Sequence, residues 1–187
     1  RTQVCRVRKR SAEDVRVIKL LNGNPPSQSD IAGIRREFSL LSSVDHSNIV
    51  KAFQLGFDSG RLYIELEDSG GTTLYDYLHH HRPTLYEGRA IASQLLEALA
   101  YLHSQNIIHK DIHPGNLLWD SLDEHLTLID FNISSKLDAE HVRLGLADHL
   151  EGNLRYISPE QTGRVNRAID FRSDFYSLGV TLFEIFT

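Results

Sequence analysis

Five polar residues in this chain are of the types that moving a phosphoryl group requires, and they come in a usable order. Lys19 ends the β-branched run Val17-Ile18-Lys19, and Glu37 lies in the helical stretch that follows. Asp111 and Asn116 stand five positions apart in His109-Lys110-Asp111-Ile112-His113-Pro114-Gly115-Asn116. Asp130-Phe131 closes the apolar run Leu126 to Ile129. Transfer from ATP asks for phosphates to be held, metal ions placed and the accepting hydroxyl oriented. A lysine neutralises the phosphates, and a carboxylate with an amide oxygen suits magnesium, which takes hard oxygen ligands. A second carboxylate can accept the hydroxyl proton. Lys19 with Glu37 is thus the candidate phosphate-binding pair, Asn116 and Asp130 the candidate metal ligands, and Asp111 the candidate base. Taken singly each is bland. A strand-end lysine is usually surface charge, Asp-Phe pairs are common, and His109-Lys110-Asp111 could be a solvated turn. Their joint order, on suitable elements, carries the reading.

Those elements follow from hydrophobic period. Val4 to Val7 and Val15 to Leu20 predict strands, separated by a charged turn at Ser11 to Asp14. Asn22-Gly23-Asn24-Pro25-Pro26 breaks the chain. Ile31, Ile34, Phe38 and Leu41 then recur at helical spacing, with Ser29 or Asp30 placed to cap. Ile49 to Phe57 and Leu62 to Leu66 predict a hairpin closed by Asp58-Ser59-Gly60. After Gly70-Gly71 the pattern turns helical, over Leu74 to His81 and again over Leu85 to Gln105. A second hairpin is expected over Leu117 to Trp119 and Leu126 to Ile129. Residues 132 to 172 should be mostly loop, and Ser173 should open a final helix carrying Phe175, Leu178, Leu182 and Phe183. A strand-rich front and a helix-rich back predict two lobes hinged near residues 67 to 71, with a ligand cleft between them.

Composition narrows the class. The chain's 187 residues suffice for one domain with a real core or two small lobes. A net charge of -5 argues against a dedicated nucleic-acid binder, whose footprint is basic. No apolar run approaches the roughly 20 residues that span a bilayer. Cys5 stands alone, so no internal disulfide forms, which points to a reducing, cytoplasmic setting. The chain has no Met, starts at Arg1 and ends on an apolar stretch, so a fragment truncated at both ends is expected.

With Ser158-Pro159-Glu160 added, the set resembles the eukaryotic-type protein kinase signature: a strand lysine, a helix glutamate, H-R-D-x-x-x-x-N, D-F-G and A-P-E. The resemblance covers essentially the whole chain. It implies an α+β bilobal kinase-like fold, with a small β-rich N-lobe over residues 1–68 and a larger helical C-lobe over 69–187. It implies an ATP- and magnesium-dependent enzyme acting on Ser/Thr hydroxyls of proteins. By it, Leu66 is the gatekeeper, and Glu67 to Ser69 offer hinge backbone groups to adenine. Val4, Val17 and Leu118 would sandwich the base; equally, they could be plain core. Leu41, His109 and Phe131 would stack between the lobes, and Asp174 would anchor the catalytic-loop backbone. The run Ser158-Pro159-Glu160-Gln161-Thr162-Gly163-Arg164 is similar to kinase-like domains at the front of multidomain signalling proteins, which implies further domains of the same chain.

The sequence departs from the pattern in four places. Val4 matches the valine after the Gly-rich loop, so Thr2 stands at its third glycine and the first two positions fall before Arg1. His113 takes the place of the catalytic-loop lysine, a fixed positive charge, whereas histidine is only partly charged near neutral pH. As part of the same departure, Asn153 replaces the threonine that normally bonds that lysine and the aspartate. Asn132 replaces the glycine of D-F-G, where asparagine is expected to tolerate a left-handed backbone. Lys110 replaces an arginine suited to bidentate capture of a loop phosphate. No Thr lies between Asp130 and Glu160, and the serines there are Ser134, Ser135 and Ser158, so no threonine switch is expected. The leading expectation is an enzyme in which His113 joins Asp111 and Lys19 as catalytic residues. The alternatives are a pseudokinase-type module that binds nucleotide or a partner, and a remnant without nucleotide affinity.

Overall fold

The computed structural model describes residues 2–8, 15–22, 26–138, 152–165 and 167–187. Its front is an antiparallel sheet of β1 (Thr2–Arg8), β2 (Val15–Leu21), β3 (Ala52–Asp58) and β4 (Arg61–Glu67), ordered β1-β2-β4-β3. Register pairs Val4 with Lys19, Lys19 with Ile64, and Val17 with Leu66. Residues directly opposite in an antiparallel pair share a face, and successive side chains alternate. Val4, Val17, Lys19, Ile64 and Leu66 therefore point to one side. The helix α1 (Gln28–Leu41) packs on the sheet through Ile34, Glu37, Leu40 and Leu41, all buried.

The predicted cap of α1 is corrected. Ser27, not Ser29 or Asp30, is the N-cap: its Oγ accepts from the Asp30 N–H at 3.1 Å, and the Asp30 carboxylate accepts from the Ser27 N–H at 3.3 Å. This reciprocal box satisfies two orphan donors of the first turn, so the residue three places before an acidic one wins the cap. The turn proposed for Ser11 to Asp14 lies outside the described residues, as do residues 23 to 25 of the predicted break.

After β4 the chain crosses Gly70 and Gly71, with φ of 68° and 65°. A Cβ on Gly71 would sit 2.5 Å from the Trp119 carbonyl oxygen, so only glycine lets the strap lie this close to the next sheet. That sheet is β5 (Thr72–Thr73), β7 (Leu117–Asp120) and β8 (His125–Leu128). The helices behind it are α2 (Leu74–His80), α3 (Leu85–Ser104) and α4 (Phe171–Phe186), and a second small sheet pairs β6 (Ile107–Ile108) with β9 (Ser135–Lys136). α3 starts at a Thr84/Glu87 capping box and buries Ile91, Leu95, Ala98, Leu99 and Leu102 completely. One apolar cluster runs from Leu41, Ile64 and Leu66 through Leu95 and Leu99 to Phe131, so front and back share a core. The α+β architecture expected from the resemblance is present.

The last helix differs from its prediction. It begins at Phe171 with Asp170 as N-cap, and Ser173 is buried inside its first turn, donating to Glu160 Oε1 at 2.7 Å. Its buried face is largely polar (Ser173, Asp174, Ser177, Thr181) with Leu178 and Ile185, while Phe175 and Phe183 are 51% and 70% exposed. The helix therefore joins the core through Leu178, Leu182 and Ile185 and the loops through its buried polar side chains.

Candidate active site

Lys19 lies within β2, two residues before its end, and its side chain reaches Glu37 of α1. Its Nζ donates to Glu37 Oε1 at 2.6 Å and to Asp130 Oδ1 at 2.7 Å. Burial pulls the Lys19 pKa down, and the two carboxylates more than offset it, leaving the pKa above its ordinary value. The ammonium is thus held charged. Glu37 Oε1 also accepts from the Phe131 N–H at 3.3 Å, which ties α1 to the Asp130-Phe131 step. One lysine therefore joins strand, helix and loop, and removing either partner would leave a buried charge unpaired.

Asp130 has a left-handed φ of 62°, and Lys110 has 71°. Asn132 is not among the left-handed residues, so its exchange for glycine meets no backbone demand there. The sharp turn falls two residues earlier, where Asp130 Oδ1 accepts from the Asn132 N–H at 3.2 Å. Aspartate is among the few non-glycine residues that visit this region readily.

The loop from His109 to Asn116 is built around Asp111. Its Oδ1 accepts from the Asn153 N–H at 3.0 Å, and its Oδ2 accepts from Asn116 Nδ2 at 2.9 Å. Burial raises the Asp111 pKa, and contacts with His113, the Asn153 N–H and His109 outweigh this, so the pKa lies below the usual carboxylate range. The Asn153 link is made by backbone, while its side-chain Oδ1 accepts from the Arg155 N–H at 3.3 Å. Exchange of a threonine here thus leaves the hold on Asp111 in place. His113 Nε2 lies 3.7 Å from Asp111 Oδ2.

Asn116 Nδ2 is committed to Asp111, at 3.0 Å from its carbonyl and 2.9 Å from Oδ2, so Oδ1 remains the acceptor. Asn116 O accepts from the Ile129 N–H at 3.0 Å, which sets this amide beside the strand end that carries Asp130. An amide oxygen and a carboxylate are hard ligands that fit magnesium. No cluster of three or more His, Cys, Asp or Glu occurs among the described residues. A site this sparse suits an ion that keeps waters and takes substrate phosphates as ligands.

The loop is hung from α4. Asp174, fully buried, accepts from the Lys110 N–H at 2.7 Å, the His109 N–H at 3.0 Å and His103 Nε2 at 2.8 Å. Asp174 thus holds the loop backbone as the resemblance implies, and His103 is the partner that the sequence did not indicate. Ser134 Oγ donates to His109 O at 3.0 Å and Gln161 Nε2 to Lys110 O at 2.8 Å, clamping the loop from outside. Polar residues in loops without a period carry no signal of such contacts.

His109 packs edge-on against Phe131, ring centroids 4.8 Å apart, and both are fully buried, as is Leu41 to within 2%. Its Nδ1 accepts from the Asp111 N–H and its Nε2 meets Ile129 O, each at 3.3 Å, so a neutral ring satisfies both nitrogens. Burial lowers the His109 pKa despite nearby Asp174, Asp111 and Asp130. The unfolded chain therefore takes up this proton first on acidification. Stability from the neutral ring is complete above the ordinary histidine value of about 6.5 and declines as pH falls below it. Denaturant melts should show lower stability at about pH 5.5 than at about pH 7.5, and the His109→Phe variant a shallower dependence.

Around Lys19, Val17 and Leu118 are half-buried, Leu66 is buried and Val4 is 61% exposed. Val4, Val17 and Leu66 share the Lys19 face of the sheet. Glu67 falls on the opposite side by alternation. Glu67 and Ser69 line a cavity of about 410 Å³ with Val44, Lys51, His125 and Thr127. No helix of the described residues is long and apolar enough to cross a membrane.

The family described as Protein kinase domain matches residues 1–187. The chain is 34% identical over 172 residues to Serine/threonine-protein kinase PrkC of Bacillus subtilis (strain 168), covering 91% of the chain and 26% of that protein. It is 34% identical over 158 residues to Calcium-dependent protein kinase 5 of Plasmodium berghei (strain Anka), covering 83% and 27%. It is 30% identical over 181 residues to Serine/threonine-protein kinase ULK3 of Homo sapiens, covering 94% and 36%. It thus spans about a quarter to a third of the length of these curated relatives. On the family match over its whole length, the chain belongs to the protein kinase family.

Proposed function

We propose that this chain transfers the γ-phosphate of ATP to Ser/Thr hydroxyls of a protein, as the kinase module of a larger signalling protein in the cytoplasm. The observation that carries the reading is Lys19 held between Glu37 and Asp130, with Asp111 and Asn116 joined beside them. Residues 1–68 form the N-lobe and 69–187 the C-lobe. Val4, Val17, Leu66 and Leu118 receive the adenine, and the backbone of Glu67 and Ser69 hydrogen-bonds its edge. Lys19 binds phosphate oxygens, and Glu37 keeps Lys19 aimed. Asn116 Oδ1 and Asp130 hold Mg2+, which neutralises charge on the phosphates when bound. Asp111 orients the acceptor hydroxyl and takes its proton, with His113 beside it. Further domains of the same chain are its expected partners.

The test is binding in the full-length protein. Magnesium-ATP should raise the melting temperature, with about 2.7 kcal/mol of stabilisation at a hundredfold excess over Kd. EDTA and Asp130→Asn should each remove most of that shift. A nucleotide shift indifferent to magnesium would sink the metal assignment. Stabilisation with no transfer would favour the pseudokinase-type reading, for which His113 in the lysine position is the motivating observation.

Activation-loop phosphorylation is not part of the reading. Ser134, Ser135 and Ser158 are buried, and Ser134 and Ser158 are hydrogen-bonded to His109 O and Gln161 Oε1. A phosphopeptide map of active protein should show no stoichiometric modification at these serines. Modification of Ser134 or Ser135 that tracks activity would overturn this.

A further inference from the structure

His113 stands where the kinase signature has a lysine, and its ring is held from two sides. From below, His113 Nδ1 accepts from the Gly115 N–H at 3.0 Å. With Nδ1 an acceptor, the ring hydrogen resides on Nε2. Nε2 faces Asp111 Oδ2 at 3.7 Å, too long for a direct hydrogen bond and open to a third oxygen. From the other side, the Tyr156 ring stacks on the imidazole, with centroids 5.5 Å apart and planes 29° from parallel. Tyr156 is itself pinned to α4: its hydroxyl donates to Glu184, and its carbonyl accepts from Ser177 Oγ at 2.7 Å.

Gly115 is required by this arrangement. A Cβ there would lie 2.8 Å from His113 Cε1 and 3.0 Å from Nδ1. Its φ lies outside the left-handed region, so alanine meets no backbone strain and acts on the ring alone. A lysine in place of His113 would have no ring for Tyr156 to stack on and no Nδ1 to accept the Gly115 N–H.

We propose that Gly115 and Tyr156 are positioning residues that fix His113 as an Nε2–H donor, aimed at an oxygen held beside the Asp111 carboxylate. This rests on the kinase reading, in which that oxygen belongs to the phosphoryl group in transfer. His113 then supplies one directed hydrogen bond where a lysine would supply a mobile ammonium.

The experiment is a double-mutant cycle in the full-length protein, with a spectroscopic arm that needs no turnover. Gly115→Ala should lower kcat by about tenfold, within the range for displacing a group at the reacting atoms. KM for ATP should hardly change. In the His113→Ala background, Gly115→Ala should have no further effect on kcat. With selectively 15N-labelled histidine, assigned by loss of the signal in His113→Ala, His113 should show an unprotonated Nδ1. Gly115→Ala should abolish that single form. An equal Gly115→Ala loss in both backgrounds, or a ring hydrogen on Nδ1 in the parent protein, would overturn the proposal. Absence of transfer by the parent protein would instead strike the kinase reading, and the labelled histidine would still report the ring's orientation.

Discussion

Asp111→Asn is expected to lower the phosphoryl-transfer rate by about 10²- to 10⁴-fold, the span attributed to a positioned general base. The substitution keeps shape and volume, so the loss isolates the carboxylate. In the native loop both Asp111 oxygens accept hydrogen bonds, from the Asn153 N–H at 3.0 Å and Asn116 Nδ2 at 2.9 Å. An asparagine presents one oxygen and one NH₂, so one of these donors faces another donor. The amide also cannot take the hydroxyl proton. ATP affinity should be nearly unchanged, because Lys19 and Asp130 are untouched. Single-turnover rates measured beside ATP binding separate the two effects. A variant that binds ATP and retains more than a tenth of the rate would remove Asp111 from the role of base.

Asp174→Ala should be the most damaging single change to stability. Its carboxylate is fully buried and accepts from two backbone N–H groups and from His103 Nε2. Truncation leaves those donors without a partner, at about 1–3 kcal/mol each. Even two such losses amount to about 2–6 kcal/mol, which exceeds most point substitutions. For a chain of this size each kcal/mol moves the midpoint by about 2–4 °C. A thermal melt should therefore fall by roughly 10 °C, with Asp174→Asn intermediate because one acceptor survives. A melt within a degree or two of the parent's would mean the loop does not hang from α4.

The chemistry was more legible in the sequence than the positioning. Lys19, Glu37, Asp111, Asn116 and Asp130 could be found because each task demands a residue type, and the strands and helices between them have clear periods. The structure brings Lys19, Glu37 and Asp130 within hydrogen-bonding distance and joins Asp111 to Asn116. What escaped were contacts between segments without period. Asn132 was expected to tolerate a left-handed backbone in place of glycine, and the left-handed residue of this step is Asp130. Ser27 outcompeted Ser29 and Asp30 as a cap because a side chain three residues on completes the box. The final helix was expected to carry Phe175, Leu178, Leu182 and Phe183; Phe175 and Phe183 are exposed, and the loop contacts of Ser173 and Ser177 had no signal. Gly115 looked like a loop residue, and its need appears only when a Cβ is placed against the His113 ring.

Asn153 shows how a side-chain comparison can mislead. Asparagine in place of threonine, beside His113 in place of lysine, left open a rewired working set or weak activity. The bond to Asp111 comes from the Asn153 N–H, which every residue but proline supplies. The exchange at Asn153 therefore leaves Asp111 held.

The most direct test of the central claim is phosphoamino-acid analysis after incubating the full-length protein with γ-labelled ATP and a protein substrate, with and without magnesium. The account predicts label on phosphoserine or phosphothreonine that requires magnesium and disappears in Asp111→Asn. Magnesium-ATP that binds and stabilises the protein while no hydroxyl acquires label would contradict it.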